Sequence, residues 1–448
     1  MHTRQRTFLA TVLLSTVVAC TTEVIEKQAD PNAPGATNPD GTTTAKDGTL
    51  PAGQSAIADN VTVDKVSLYQ GVEVRLVKDG AAVETRNAPI ITNRPALVRV
   101  YAKKDASVRV GKITAKLHVK IDGEEKVLTD GPKSITTFDD TSLDTTFNFN
   151  LDAEQMTSDM ELSVELVGST AKDTVAFPAD NTTLSLDAKD AAKLRVQLIP
   201  VKYEADGSNR LPDLSDSAVK RYHDALYQMY PVSEVEVTQH ATLAWEVPID
   251  PTGSGWDQLL NAVMNMRQDE DVDPDVYYVG VFNPAANIRE YCGHGGCVLG
   301  IAPAAGFSNP ASLDTEMALR SALVVGYQTD HSGGTISQEL AHAMGRLHAP
   351  CGNPAAIDKK YPYKDAALGS TGWDPIAKTL VSSDDHSDFM SYCSPVWVSD
   401  YTYKAIFDRM TKVRATLGTK NVASTTPKAV GSLPSLSKEQ IAWTIQQP

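Results

Sequence analysis

Between residues 60 and 188, apolar and polar positions alternate in a series of short runs. Val61, Val63 and Val66 open the series. Residues Val72 to Val77, Ala96 to Tyr101, Ile113 to Ile121, Thr146 to Leu151 and Met160 to Leu166 continue it. Asp-Gly pairs at 79–80 and 122–123 and clusters of Asp, Thr and Asn interrupt it. Period-two patterning at regular spacing predicts an all-β sandwich over residues 59–190. Asp122-Gly123 between two such runs predicts a tight hairpin. From about residue 192 the period changes. Leu194 to Val201, Val235 to Trp245, Asp275 to Phe282 and Val298 to Ala302 predict strands. Ser215 to Tyr230, Trp256 to Arg267 and Tyr401 to Leu417 predict helices, the first capped by Asp213 or Ser215 and stopped by Pro231. Ala318 to Tyr327 is a further apolar segment. Strands interleaved with helices predict an α+β or α/β domain over residues 191–417.

The flanks differ. Residues 20–58 hold almost no large apolar side chains and predict a flexible tether. Residues 418–448 form a polar tail, with a short helix expected near Lys438 to Thr444. Ahead of the tether, Arg4 and Arg6 precede an apolar stretch, Phe8 to Val18, too short to span a bilayer. It ends on Val17-Val18-Ala19-Cys20, which resembles a bacterial lipobox. That implies a lipoprotein signal peptide over residues 1–19 and lipidation of Cys20. Thr21, rather than an aspartate, follows the cysteine, so the expected destination is the outer membrane of a Gram-negative envelope, with the lipid as the membrane contact.

The chain has 448 residues, 42% hydrophobic and 22% charged, enough for two domains with real cores. Its net charge of −15 argues against nucleic acid as a partner. A monomer is expected. Beyond Cys20, four cysteines remain: Cys292, Cys297, Cys351 and Cys393. An even set in an exported chain predicts disulfides, with three pairings formally open. Cys292–Cys297 closes a tight loop, which leaves Cys351–Cys393.

The stretch from Thr335 to His348 carries the chemistry. It reads as a helix with Ile336, Leu340, Ala343, Met344 and Leu347 as its apolar stripe. Gln338 and His342 are four apart and share a face. Gly345 can take the left-handed conformation that stops a helix, letting His348 swing back toward His342. Glu339 sits beside them. Glu339, His342, Gly345 and His348 match the long zinc-peptidase pattern H-E-x-x-H-x-x-G-x-x-H, while Gln338 replaces its first histidine. Downstream, Met390-Ser391-Tyr392 resembles the Met-turn of metzincins.

Residues 192–417 therefore resemble a metzincin peptidase domain. The resemblance implies one catalytic zinc held by His342 and His348, with Gln338 as a weak or lost third ligand. It implies Glu339 as general base, Tyr392 as a group reaching the metal or the oxyanion, and Met390 as a structural support. It implies protein or peptide substrates, laid along Val298 to Ala302 as an edge strand. Within it, a Cys351–Cys393 bridge would tie the loop after His348 to the Met-turn.

Gln338 admits two readings. Its amide oxygen is a neutral donor, weaker than imidazole. Alternatively, Thr335-x-x-Gln338 forms a capping box, with the amide turned back to the helix start. Both cannot hold at once. His331, before Gly333-Gly334, is a substitute ligand or a loop histidine. The leading expectation is an envelope-anchored zinc metalloendopeptidase. The alternative is an inactive peptidase fold that binds peptide or glycoprotein without cutting it. Other signals fail. Asp269, Asp271 and Asp273 suggest a calcium loop, but Pro274 and Gly280 stand where glycine and glutamate are needed. His118 reads as a surface or packed strand histidine, and His294 and His386 as surface residues, with lining of the cleft a second reading for His386 beside the Met-turn.

Overall fold

The computed structural model describes residues 49–270, 272–293, 296–303, 317–329, 331–417 and 441–446. The expected signal peptide, Cys20, most of the expected tether, Asp271, His294 and most of the expected tail lie outside them.

The alternating runs are strands. In chain order they are β1 (Val61–Tyr69), β2 (Glu73–Lys78), β3 (Ala81–Ala82), β4 (Ala96–Lys104), β5 (Ile113–Ile121), β6 (Glu124–Lys133), β7 (Phe147–Leu151), β8 (Glu161–Val167), β9 (Thr174–Phe177) and β10 (Leu184–Ser185). Two five-stranded sheets result. One has the order β3-β2-β1-β4-β7; the other runs β10-β8-β5-β6, with β9 also paired to β8. Asp122 and Gly123 have φ of +51° and +83°, and Ile121 pairs with Glu124. That is the two-residue hairpin the Asp-Gly pair favours. Alternate residues of both sheets, such as Val98 and Val100 from β4 and Leu117 and Val119 from β5, enter one apolar cluster.

The second half is built on a seven-stranded sheet. Its strands are β11 (Leu194–Tyr203), β12 (Val235–Gln239), β13 (Leu243–Trp245), β14 (Val276–Phe282), β15 (Cys297–Pro303), β16 (Ser321–Val325) and, last in the chain, β21 (Ile441–Gln446). Between them lie two short pairs: β17 (Gly372–Asp374) with β18 (Thr379–Val381), and β19 (Ser387–Asp388) with β20 (Val396–Trp397). The large sheet has the order β12-β11-β14-β16-β15-β21, with β13 also on β11. Its members are parallel except β15 and β21, which are antiparallel to their neighbours.

The α-helices described are α1 (Asp216–Met229), α2 (Trp256–Asp269), α3 (Ile288–Cys292), α4 (Ser332–Ala343) and α5 (Asp400–Leu417). Both faces of the sheet are apolar because helices cover both. Leu198, Val279 and Val324 face one cluster, with Leu226 of α1 and Ile336 and Leu340 of α4. Their neighbours Ile199, Tyr278 and Leu323 face the other, with Leu259, Leu260 and Val263 of α2. The first cluster continues without a break into the β half. Arg94, fully buried, adds a polar clasp: its guanidinium donates to the carbonyls of Gln70, Tyr227 and Val232, at 3.0, 2.7 and 2.6 Å.

Four expectations need correction. The run Val235 to Trp245 is broken into two strands, both parallel to β11 at different points along it. Ile57, inside the expected tether, is 1% exposed, and its N–H donates to Asp173 Oδ1 at 2.8 Å. One apolar side chain with a pocket to fill anchors that end. The expected short helix near 438–444 is instead β21, because an unpaired edge of β15 offers partners for its backbone. Finally, α4 begins at Ser332, a full turn before the predicted cap. Thr335 Oγ1 donates to His331 O at 3.1 Å, so no capping box forms around Gln338. The early start places Gly333 against α1, where a Cβ would come within 2.7 Å of Ala225 Cβ.

Candidate active site

Helix α4 is buried on nearly all sides, and it delivers Gln338, Glu339 and His342 from its last turns. Gly345 has φ +87°, and the Arg346 N–H closes back onto Ala341 O at 2.9 Å. This left-handed stop reverses the chain. Beyond it, Arg346 donates to Asp358 Oδ2 at 3.0 Å, and Tyr401 of α5 donates to the same oxygen at 2.9 Å. His348 is held by a short bridge to Ile357, and its carbonyl accepts the Asp358 N–H at 2.8 Å.

The two imidazoles meet. His342 Nδ1 lies 2.7 Å from Arg346 O, and His348 Nδ1 lies 2.6 Å from Ala355 O. A carbonyl oxygen only accepts, so both Nδ1 atoms carry the proton. In the neutral rings both Nε2 atoms are then lone pairs, and they face each other at 3.1 Å. Both rings are buried, at 0% and 1% exposure. Burial, then the neighbouring His348, pushes the His342 imidazole well below its ordinary value, so protonation is a poor way to relieve the pair. A shared cation relieves it, and two neutral imidazoles are a suitable donor set for zinc.

Glu339 is 0% exposed and lies against β15. A Cβ on Gly300 would come within 2.6 Å of Glu339 Cγ and 2.7 Å of its Oε1, so only glycine leaves room for this carboxylate. Tyr230, the residue just after α1, donates to Ser337 O of α4 at 2.7 Å. Gln338 is 4% exposed, and its Nε2 is buried without a hydrogen-bond partner among the described residues. The two ends of such an amide are interchangeable by rotation. Turned over, that buried end is an oxygen, the atom a cation would take. Among the described residues, no three His, Cys, Asp or Glu side chains are placed to hold one metal. Among the described residues, a third protein donor would then be of another type, as Gln338 or Tyr392 could supply.

Tyr392 packs on His348, ring centroids 5.0 Å apart and 73° between planes. Ala349 N–H donates to Met390 O and Tyr392 N–H to Cys351 O, at 2.9 and 3.0 Å. Cys351–Cys393 bridges the same two segments, and Cys292–Cys297 joins α3 to β15. Met390 is buried in the cluster beneath. Asp388, unnoticed in the sequence, organises the turn: its carboxylate accepts from Met390 N and Ser399 N at 2.8 and 3.0 Å. Burial pushes its pKa up while these donors pull against that. Its place two residues before Met390 was the only signal available. Gly300 was equally hidden, as one small residue in an apolar strand.

His331 stands at the opposite end of α4, exposed, about 16 Å of helix rise from His342. It does not join the pair. His118 lies on β5 beside Glu125, and His386 contacts Ser382 O.

Comparison with known proteins bears on this constellation. No curated protein matches the chain. A family model does: that of Peptidase M66 matches residues 143–395, more than half of the sequence. The matched span contains α4, both histidines, Glu339, Met390 and Tyr392. With the paired buried imidazoles and the buried Glu339 inside the matched region, this chain belongs to the peptidase M66 family.

Proposed function

We propose that the protein is a zinc-dependent, metzincin-like endopeptidase of the bacterial envelope. The observation carrying this reading is the convergence of two buried imidazole Nε2 atoms, one of them on the helix that also carries Glu339. His342 and His348 would hold the ion, with the Gln338 amide oxygen as a weaker third donor. When bound, zinc supplies Lewis-acid polarisation of a water molecule and of the scissile carbonyl. Glu339 takes the proton from that water and returns it to the leaving amine. The Tyr392 hydroxyl donates to the developing oxyanion. Met390 and the Cys351–Cys393 bridge keep Tyr392 and His348 in one register. In this reading residues 191–417 are the peptidase domain and residues 59–190 a β-sandwich before it. Cys20 carries the lipid that tethers both to the outer membrane. Loss of membrane retention in Cys20→Ser is the test of that anchor.

Equimolar zinc in the purified protein and cleavage of an unfolded polypeptide, lost on chelation and in Glu339→Gln, are the expected results. Absence of both zinc and cleavage rejects the reading. Gln338 favours a second one, in which the site binds peptide without hydrolysing it. Gln338→His separates the two. A large gain of activity says the native site is disabled, and unchanged substantial activity says the glutamine is a working ligand.

A further inference from the structure

The edge of the large sheet nearest Glu339 is already occupied. β15 touches the Glu339 carboxylate through Gly300. One side of β15 pairs with β16; the other pairs with β21, the last described segment of the chain. The pairing is antiparallel and runs from Cys297↔Gln446 to Pro303↔Ile441, with Thr444 directly across from Gly300. β21 also comes close to α4, the helix that carries Glu339 and His342. A single strand therefore separates the C-terminal segment from the candidate general base.

We propose that residues 441–446 are a built-in occupant of the β15 edge, on the side along which the peptidase reading lays an extended substrate. A peptide that docks on a sheet edge is held by the backbone N–H and C=O groups of that edge strand. β21 uses those same groups, so it and an incoming peptide exclude one another. The segment is suited to the role: Ile441, Trp443, Thr444 and Ile445 are strand formers. It is also remote in the chain. Residues 418–440 lie between it and α5, a contour of up to about 80 Å. The fold of α5 therefore does not force β21 onto β15. An occupant joined to its site by the chain competes intramolecularly with a free peptide. This inference rests on the peptidase reading for its consequence, restrained cleavage, but not for the binding itself.

The test uses the full chain and the full-chain double variant Trp443→Pro/Thr444→Pro. One of any two adjacent strand residues turns its N–H toward β15, so the pair of prolines removes that donor whichever it is. The probe is a fluorescent peptide with the sequence of residues 439–448. The variant should bind it one to one, at least 10-fold more tightly than the parent chain. Amides of residues 297–302 should exchange faster in the variant and regain protection when peptide is added. A gain in binding supports the inference whether or not either protein cleaves, and cleavage by neither then counts only against the peptidase reading. A folded variant that binds no better than the parent overturns the inference, even if both cleave. A variant that loses its cooperative unfolding transition also overturns it, because β21 is then an integral strand. A chain ending at residue 440 repeats the binding comparison without proline.

Discussion

A methyl group at residue 300 would collide with the carboxylate of Glu339, and that contact exposes the site to a one-atom test. Gly300→Ala should lower turnover by 10-fold or more while costing about 1–3 kcal/mol of stability, the usual price of overpacking. Steady-state kinetics beside a denaturant titration would show it; unchanged kcat would mean Glu339 has room to move. The buried histidines give a second test through pH. The folded-state pKa of His342 lies below the unfolded value near 6.5. Above that value the ring is neutral in both states and has no effect. Below it, the unfolded chain binds a proton that the folded chain refuses, so stability falls as pH falls. The metal-free protein should therefore lose denaturant midpoint between pH 7 and pH 5, and His342→Gln should flatten that slope. Equal slopes would contradict the assignment. Gln338, Glu339, His342 and His348 were legible in the sequence because their spacing is local. The pairing of Nε2 atoms was not, since Arg346 O and Ala355 O fix the ring faces and no spacing rule names those carbonyls.

Single elements carry the geometry between those residues. The stop after α4 depends on Gly345 at φ +87°. Gly345→Ala should cost about 1–2 kcal/mol through left-handed strain, and should weaken zinc retention as His348 shifts. Thermal unfolding and metal titration together check it. The turn holding Met390 and Tyr392 depends on Asp388, whose carboxylate satisfies two backbone donors in a buried site. Asp388→Ala leaves those N–H groups without their acceptor and should destabilise by about 3 kcal/mol. Reducing Cys351–Cys393 should remove up to about 4 kcal/mol on the chain-entropy account. Periodicity found most of these elements, α1, α2, α5, β11 and β14 among them, within a few residues. It missed the start of α4, where Gly333 and Gly334 read as a loop. Helix propensity disfavours glycine there, but close packing on α1 requires it.

Across the whole molecule, one apolar cluster runs from the β half into the helices around the site, and Arg94 clasps carbonyls on both sides of that passage. Arg94→Met should leave Gln70, Tyr227 and Val232 carbonyls short of a donor and lower stability by about 2–4 kcal/mol. A single unfolding transition that shifts as a whole is the expected readout; a split into two transitions would show that the clasp alone couples the halves. By itself, the sequence determined what depends on neighbours along the chain. That includes the strand and helix periods, the Asp122-Gly123 hairpin, the glycine stop and the carboxylate–histidine helix. Tertiary structure alone decided what depends on distance in space. It placed Gly300 beneath Glu339 and Asp388 beneath the Met390 turn. It also gave residues 441–446 to the open edge of β15. Six residues are too few for their periodicity to decide between a strand and the short helix expected there, even with strand formers among them. The unpaired backbone groups of a strand some 140 residues earlier settle the choice, and no local pattern records that they are there.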